Sequence, residues 1–238
     1  MCRMVGMIAS TPVPADHELL TAPHSLLWLS QHGRRWRLPG DRGPHDDGWG
    51  LAWRQGGDME VEKRGQHAAT DPSFRRVAGA VTTDILIGHA RKASPGMAVC
   101  DANAHPFRRS DLVLAHNGDI DLPSDATGQD TTDSERFLHW LAQNWDRTED
   151  DLLTVLQQGV GFRHTSLNFI MSDGHRLYAL RQTKPRTEYL EYYSLYVKHT
   201  RHKTTVASEP LDDTPGWQPI DNGTLLILEA GKQKRLAL

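Results

Sequence analysis

The chain of 238 residues has only two cysteines, Cys2 and Cys100, too few for the multi-bridge framework of a small secreted fold. A reducing compartment, the cytoplasm, is the expected setting. Long apolar runs are also missing. None approaches the roughly 20 residues a membrane helix needs, and the opening Met1-Cys2-Arg3-Met4-Val5-Gly6 lacks the apolar centre of a secretory signal. There is no excess of positive charge either. With 27 Lys and Arg against 30 Asp and Glu, the net charge of −3 gives no footprint for nucleic acid or an anionic membrane. The 13 histidines include no His-Glu-x-x-His, and no Cys-x-x-Cys occurs, so no metal site and no cofactor are expected. Repeats, low-complexity tracts and clear linkers are absent. At 38% hydrophobic and 24% charged residues, the chain can fill a substantial core, and one domain over residues 1–238 is expected.

Short strand-like segments separated by turn residues dominate what remains. Arg3 to Ala9 reads as a strand, and Pro23 to Gln31 as a helix. Residues 32–47, rich in Gly, Pro, Arg and Asp, read as a loop. Gly48 to Trp53 and Met59 to Glu62 flank Gly56-Gly57-Asp58, a hairpin signal. Asp84 to His89 and Leu112 to Ala115 have the short apolar form of buried strands. Thr132-Asp133-Ser134-Glu135 is a capping box, ahead of a helical face of Phe137, Leu138, Leu141 and Trp145. A second helix starts at Thr148-Glu149-Asp150-Asp151 and runs to about Gln158. Strands follow at Leu167 to Met171, Arg176 to Leu180, Tyr192 to Val197, Thr204 to Ala207 and Thr224 to Leu228. Hairpin connections with two consecutive helices between them indicate an α+β fold of layered antiparallel sheets.

Chemistry concentrates at Cys2. Once Met1 is removed, as the small cysteine side chain permits, one residue carries both a thiol and an α-amine. An α-amine with a reference pKa of about 7.7–8.0 can serve as general base to the thiol beside it. Further along, Gly88-His89-Ala90-Arg91 ends a strand on an arginine, whose planar fork can hold a carboxylate bidentately. Taken alone, Arg91 is better explained as a surface ion-pair residue. His116-Asn117-Gly118 is first a turn signal. It can also present an asparagine amide and a glycine N–H to one developing oxyanion. Asp133 is a first-turn carboxylate favoured by the helix dipole, or a partner for a substrate ammonium.

Together with Asp47-Gly48-Trp49-Gly50, Asn103 to Phe107 and Ser208-Glu209-Pro210-Leu211, these segments resemble the class II, or N-terminal nucleophile, glutamine amidotransferases. The resemblance runs from Cys2 to Leu211 and is nearest to stand-alone members such as the amidohydrolase of ergothioneine biosynthesis. It implies a four-layer αββα sandwich and a mature chain starting at Cys2. By that likeness, Cys2 attacks the side-chain amide of glutamine or a γ-glutamyl compound and forms a thioester. Asn117 and Gly118 would supply the oxyanion hole, Arg91 would hold the α-carboxylate, and Asp133 the α-ammonium.

Two alternatives stay open on the residues alone. The unit could be a glutaminase that passes ammonia to a separate synthase, since a fused acceptor domain is not found within the chain. If Met1 is retained, the base is lost and a non-catalytic γ-glutamyl-binding module remains. The leaving-group side is expected to involve Arg34 to Asp46, with Trp36 and Arg37 as lining candidates, and Tyr189 to Tyr196. Histidines beside Pro106 and Asn117 are expected to hydrogen-bond backbone around the site.

Overall fold

The computed structural model describes residues 2–35, 40–122, 132–184 and 187–238. Met1, Trp36, Arg37 and the Ser124 to Asp130 stretch lie outside them. The first half of the chain supplies β1 (Arg3–Pro14), α1 (Leu26–His32), the short pair β2 (Gly33–Arg34) and β3 (Arg42–Gly43), and the hairpin β4 (Trp49–Gln55) and β5 (Asp58–Arg64). Next come α2 (Pro72–Ala80), β6 (Thr82–Ala90), β7 (Phe107–Arg109), β8 (Leu112–Asn117) and β9 (Ile120–Asp121). The helices α3 (Asp133–Asn144) and α4 (Glu149–Val160) lead to β10 (Arg163–His164), β11 (Asn168–Ser172) and β12 (Leu177–Arg181). After α5 (Thr187–Tyr192) follow β13 (Tyr196–His199), β14 (Lys203–Ala207), β15 (Gln218–Pro219), β16 (Thr224–Glu229) and β17 (Lys232–Ala237). No helix among the described residues is long and apolar enough to cross a membrane.

Two antiparallel sheets form the centre. One runs in the order β15-β13-β14-β1-β6-β4-β5, the other β17-β16-β12-β11-β8-β7. Three apolar cores separate four layers. Val5, Met7, Leu51 and Leu86 meet Leu26, Leu29, Phe74 and Val77 of α1 and α2 on the outer face of the first sheet. Met4, Ile8 and Ile87 meet Val113, Ala115 and Ile170 between the sheets. Leu114, Phe169 and Tyr178 meet Phe137, Leu141, Leu152 and Leu156 of α3 and α4 beneath the second. The order is therefore αββα, as the family resemblance implies.

Side-chain alternation along a strand decides what faces the inter-sheet space. In β1 the even positions Met4 and Ile8 point there, so Cys2, one step before the strand, shares their side. In β8 the odd positions Val113 and Ala115 point there, and Asn117 continues the row. Within the first sheet, Arg3 pairs with Ala90 and Met4 with His89. The same register, carried one residue further, brings Cys2 opposite Arg91.

The structure departs from the sequence expectations at several elements. Residues Tyr192 to Val197 are not one strand: α5 runs through Tyr192, and β13 begins only at Tyr196. The first helix begins later than Pro23, because Ser25 caps it by accepting a hydrogen bond from Trp28 N. The helix α2 was not expected, although Asp71 caps Ser73 N and Pro72 occupies the first turn, which is its local signature. The edge strand β17 carries Lys232, Lys234 and Arg235, charges that discourage further strand pairing and also mask a strand pattern. The loop expected over 32–47 contains the β2–β3 pair, joined by Gly33–Gly43 and Arg34–Arg42 register pairs.

Candidate active site

Cys2 is 6% exposed, at the N-terminal mouth of the inter-sheet space. Its backbone nitrogen donates to Asn117 Oδ1 at 2.8 Å, and its thiol lies 3.8 Å from the Lys92 carbonyl. The first contact fixes the Asn117 carboxamide: with Oδ1 turned to the Cys2 nitrogen, Nδ2 is its remaining donor. Gly118 follows at φ +155°, and a Cβ there would lie 1.9 Å from the Ser166 carbonyl oxygen. Only glycine permits that approach. His116 ties the turn to its surroundings, with Nε2 donating to Ser166 O at 3.1 Å and Nδ1 paired with Ser134 Oγ at 2.8 Å.

Arg91 is buried, and its Nη1 donates to the carbonyl oxygens of Ala98 at 3.1 Å and Asp47 at 3.5 Å. Both partners are neutral, and no carboxylate among the described residues forms a salt bridge with the guanidinium. Asp133 opens α3, where Thr132 caps the helix by accepting from Glu135 N. The Asp133 carboxylate accepts from Ile120 N and Ser134 N, each at 2.9 Å, and is thereby aimed. Cys2, Arg91, Gly118 and Asp133 line one small cleft together with Lys92 to Ser94, Met97, His105 and His116. Its volume is about 30 Å³, enough to admit water.

The remaining motif residues brace this site. Asp47 accepts from Ala93 N at 2.9 Å and pairs with Lys92 Nζ at 3.0 Å, fixing the wall beside Cys2. Trp49 Nε1 donates to Asp71 at 2.8 Å, anchoring α2 to β4. Gly50 has the His105 carbonyl oxygen 2.0 Å from where its Cβ would be, so a side chain there would displace His105. Ser208 joins β14 to β1 through Met4: its N–H donates to Met4 O, and its Oγ accepts from Met4 N, both at 2.9 Å. Glu209 gathers Arg3 at 3.2 Å and Arg42 at 3.0 Å, with Arg34 Nε at 3.5 Å.

Histidines beside the site behave in two ways. His116 bonds the Ser166 carbonyl, as expected. His105 does not bond backbone: neither ring nitrogen has a partner, although the residue is only 5% exposed. It stacks on His89 at 4.3 Å between centroids and borders the cleft of Cys2. Burial pulls His89 down to about 3, and burial with the neighbouring His89 pulls His105 well below the usual imidazole range. Both rings are neutral near pH 7. No group of three or more His, Cys, Asp and Glu among the described residues is arranged to hold a metal.

A second cleft of about 560 Å³ adjoins the first and shares its wall of Lys92, Ala93 and Ser94. It is also lined by Arg35, Asp41, Pro44, His45, Asp119 and Tyr192. Of the Arg34 to Asp46 segment, Arg35, Asp41, Pro44 and His45 line this cleft. Sequence reasoning missed Asp119, whose only signal was its position directly after Asn117-Gly118.

The sequence profile of the class-II glutamine amidotransferases matches residues 1–195. A γ-glutamyl-hercynylcysteine sulfoxide hydrolase from Mycolicibacterium smegmatis is 30% identical over 234 residues, covering 95% of each chain. A putative glutamine amidotransferase from Escherichia coli, YafJ, is 28% identical over 208 residues, covering 77% of this chain and 74% of that protein. Among solved structures, a glutamine aminotransferase class-II domain protein from Silicibacter pomeroyi has a TM-score of 0.68 at 18% identity, covering 99% of both chains. The glutamine phosphoribosylpyrophosphate amidotransferase of Bacillus subtilis has the same TM-score and identity, covering 99% of this chain and 49% of that one. At that identity the two structures establish the fold: the N-terminal nucleophile sandwich.

Proposed function

The chain belongs to the class-II glutamine amidotransferases, and we propose that it acts as an amidohydrolase, cleaving the γ-amide of a γ-glutamyl compound through a Cys2 thioester. The observation that carries this reading is the 2.8 Å contact between the Cys2 nitrogen and Asn117 Oδ1, with Gly118 next in the chain. Removal of Met1 turns that nitrogen into an α-amine already held by the residue that stabilises the oxyanion.

In the proposed mechanism the α-amine takes the thiol proton, and the Cys2 sulfur forms a bond to the substrate Cδ. The carbonyl π electrons move onto oxygen, where Asn117 Nδ2 and the Gly118 N–H meet the negative charge in a site pre-arranged for it. The oxyanion then re-forms the carbonyl, the C–N bond breaks, and the departing amine takes the proton back from the α-ammonium. Water next attacks the thioester with the same amine as base, releasing glutamate and regenerating the thiol. Arg91 pairs with the α-carboxylate and the aimed Asp133 carboxylate with the α-ammonium.

The name of the mycobacterial relative makes γ-glutamyl-hercynylcysteine sulfoxide, and with it ergothioneine biosynthesis, a candidate assignment. Cytoplasmic action fits two free cysteines. The alternative of delivering ammonia to a separate synthase is tested by whether purified enzyme releases free ammonia or amine in stoichiometry with glutamate.

The deciding experiment is intact-protein mass after incubation with 6-diazo-5-oxo-norleucine, a glutamine analogue that alkylates such nucleophiles. Loss of the Met1 mass and one adduct, absent from Cys2→Ala, is the expected result. A retained Met1 without an adduct would overturn the reading in favour of a binding module.

A further inference from the structure

The two clefts meet along Lys92 to Ser94, and only the smaller contains Cys2. If the glutamyl half occupies the smaller one, as the proposed function requires, a group on the far side of the scissile amide has the larger one before it. Ammonia needs no such space. A volume of about 560 Å³ is instead in the range that holds small organic ligands.

Arg35, Lys92, Asp41 and Asp119 are the charged residues that line that space, and they differ in how they are paired. Lys92 is already engaged by Asp46 at 2.8 Å and Asp47 at 3.0 Å, two carboxylates set back from the cleft lining. Arg35 and Asp41 oppose each other in sign. Asp119 remains. Its Oδ1 accepts from Ser94 Oγ at 2.7 Å and its Oδ2 from Thr165 Oγ1 at 3.3 Å. Both donors are neutral hydroxyls, and no cationic side chain among the described residues pairs with it. His45 adds no charge to this lining. Burial, with Arg3 nearby, holds its imidazole well below the usual range, and it is uncharged near neutrality.

The position of Asp119 is fixed by backbone as well as side chain. Its N–H donates to Thr165 Oγ1 at 2.9 Å, and its carbonyl accepts from Thr165 N at 2.9 Å. It also lies one residue beyond the Asn117-Gly118 pair. A half-buried carboxylate held there without a counter-ion lowers the energy of a positive group brought beside it, in a setting where water screens the attraction only partly.

We propose that the larger cleft is the leaving-group subsite and that Asp119 selects γ-glutamyl amides whose amine portion carries a second, cationic group. This rests on the proposed amidohydrolase function and deepens it. Glutamine becomes a poor substrate by comparison, because its leaving group is too small to reach Asp119. Asp119 is a specificity-determining residue in this scheme and takes no proton in the reaction.

The test compares two γ-glutamyl amides of similar length with the processed full chain: one of 1,4-diaminobutane, cationic, and one of pentylamine, neutral. Glutamine serves as reference. Wild type should cleave the diaminobutane amide with kcat/KM at least about tenfold above the pentylamide, the discrimination one charge-assisted hydrogen bond provides. Asp119→Asn should collapse that ratio towards one, and Asp119→Glu should keep part of it. A wild-type ratio near one overturns the inference and leaves the amidohydrolase reading standing. An Asp119→Asn ratio equal to wild type, with both substrates slowed alike, also overturns it and marks Asp119 as a brace for Ser94. If Asp119→Asn does not fold, the decision passes to protection. Free 1,4-diaminobutane should slow alkylation of wild-type Cys2 by the diazo-ketone at lower concentration than pentylamine, and equal protection overturns the proposal. Failure of all three amides, with no alkylation of Cys2, defeats the parent reading instead.

Discussion

Arg3, next in the chain after Cys2, has its Nη1 3.2 Å from Glu209 Oε1 in the interior, with exposures of 0% and 3%. The guanidinium also sits 4.5 Å from the centroid of the Tyr192 ring. Burial alone would pull the Arg3 pKa down. The Tyr192 side chain and the Glu209 carboxylate favour the charged form and outweigh it, and the net direction is up. The residue that follows Cys2 is therefore a permanent charge locked to the Ser208-Glu209 segment across the sheet, and this pair sets where the N-terminus ends.

Removing the Glu209 charge should consequently damage the fold and the site together. Breaking a buried pair on one side leaves an uncompensated ion, a loss of about 3–5 kcal/mol. Glu209→Ala is expected to lower the urea midpoint with an unchanged slope. Arg3→Met combined with Glu209→Leu should recover a substantial part of that stability. Equal stability of the single and double variants would show that Arg34 and Arg42, rather than Arg3, are the partners that matter.

Asn117 should separate catalysis from stability. Its Oδ1 holds the Cys2 nitrogen at 2.8 Å, which leaves Nδ2 as the donor end of the amide. Asn117→Ala is expected to lower kcat about 10²–10³-fold, as losing one oxyanion donor does. KM should change far less. A loss confined to KM would show that the side chain only shapes the turn before Gly118.

Cys2, Arg91, Asn117, Gly118 and Asp133 were all readable from the chain because each is marked by residue type and by order along it. Their convergence follows from two facts of register: the alternation that turns Cys2 and Asn117 into the inter-sheet space, and the β1–β6 pairing that sets Cys2 against Arg91. The strands β4, β5, β11 and β12 were legible from their glycine turns and apolar content. Other features were not. The polar strand β17 has no alternation to announce it, and α5 occupies a stretch whose aromatics favour strand. Asp119 looks like any turn aspartate until Lys92 is seen to be already neutralised by Asp46 and Asp47. The unsatisfied nitrogens of His105 likewise exist only in three dimensions.

His105 leads to a prediction about binding. Its ring borders the cleft of Cys2 with both nitrogens unpartnered, while its face packs on His89. Phenylalanine would keep the stacked ring and remove the polar atoms. His105→Phe is expected to raise KM for a γ-glutamyl substrate about tenfold, the value of one hydrogen bond to a charged group. The kcat should stay close to wild type. If KM is unchanged, the nitrogens face no part of the substrate.

Acid should destabilise the protein through the same stacked pair. His89 is held at about 3 by burial, against an ordinary value near 6.5 in the unfolded chain. Above pH 6.5 both states are neutral at this residue, and the full stability is present. As pH falls from 6.5 towards 3, the unfolded chain takes up the proton first, so stability is lost progressively. At pH 5 the loss from His89 is about 2 kcal/mol. The lowered His105 adds a loss of the same sign. Urea denaturation at pH 7 and pH 5 measures the difference directly. His89→Gln, which cannot titrate, should show a smaller fall over that interval than wild type. If wild type and His89→Gln lose stability equally, the pH dependence belongs to other groups, and His89 is reached by water more readily than its burial implies.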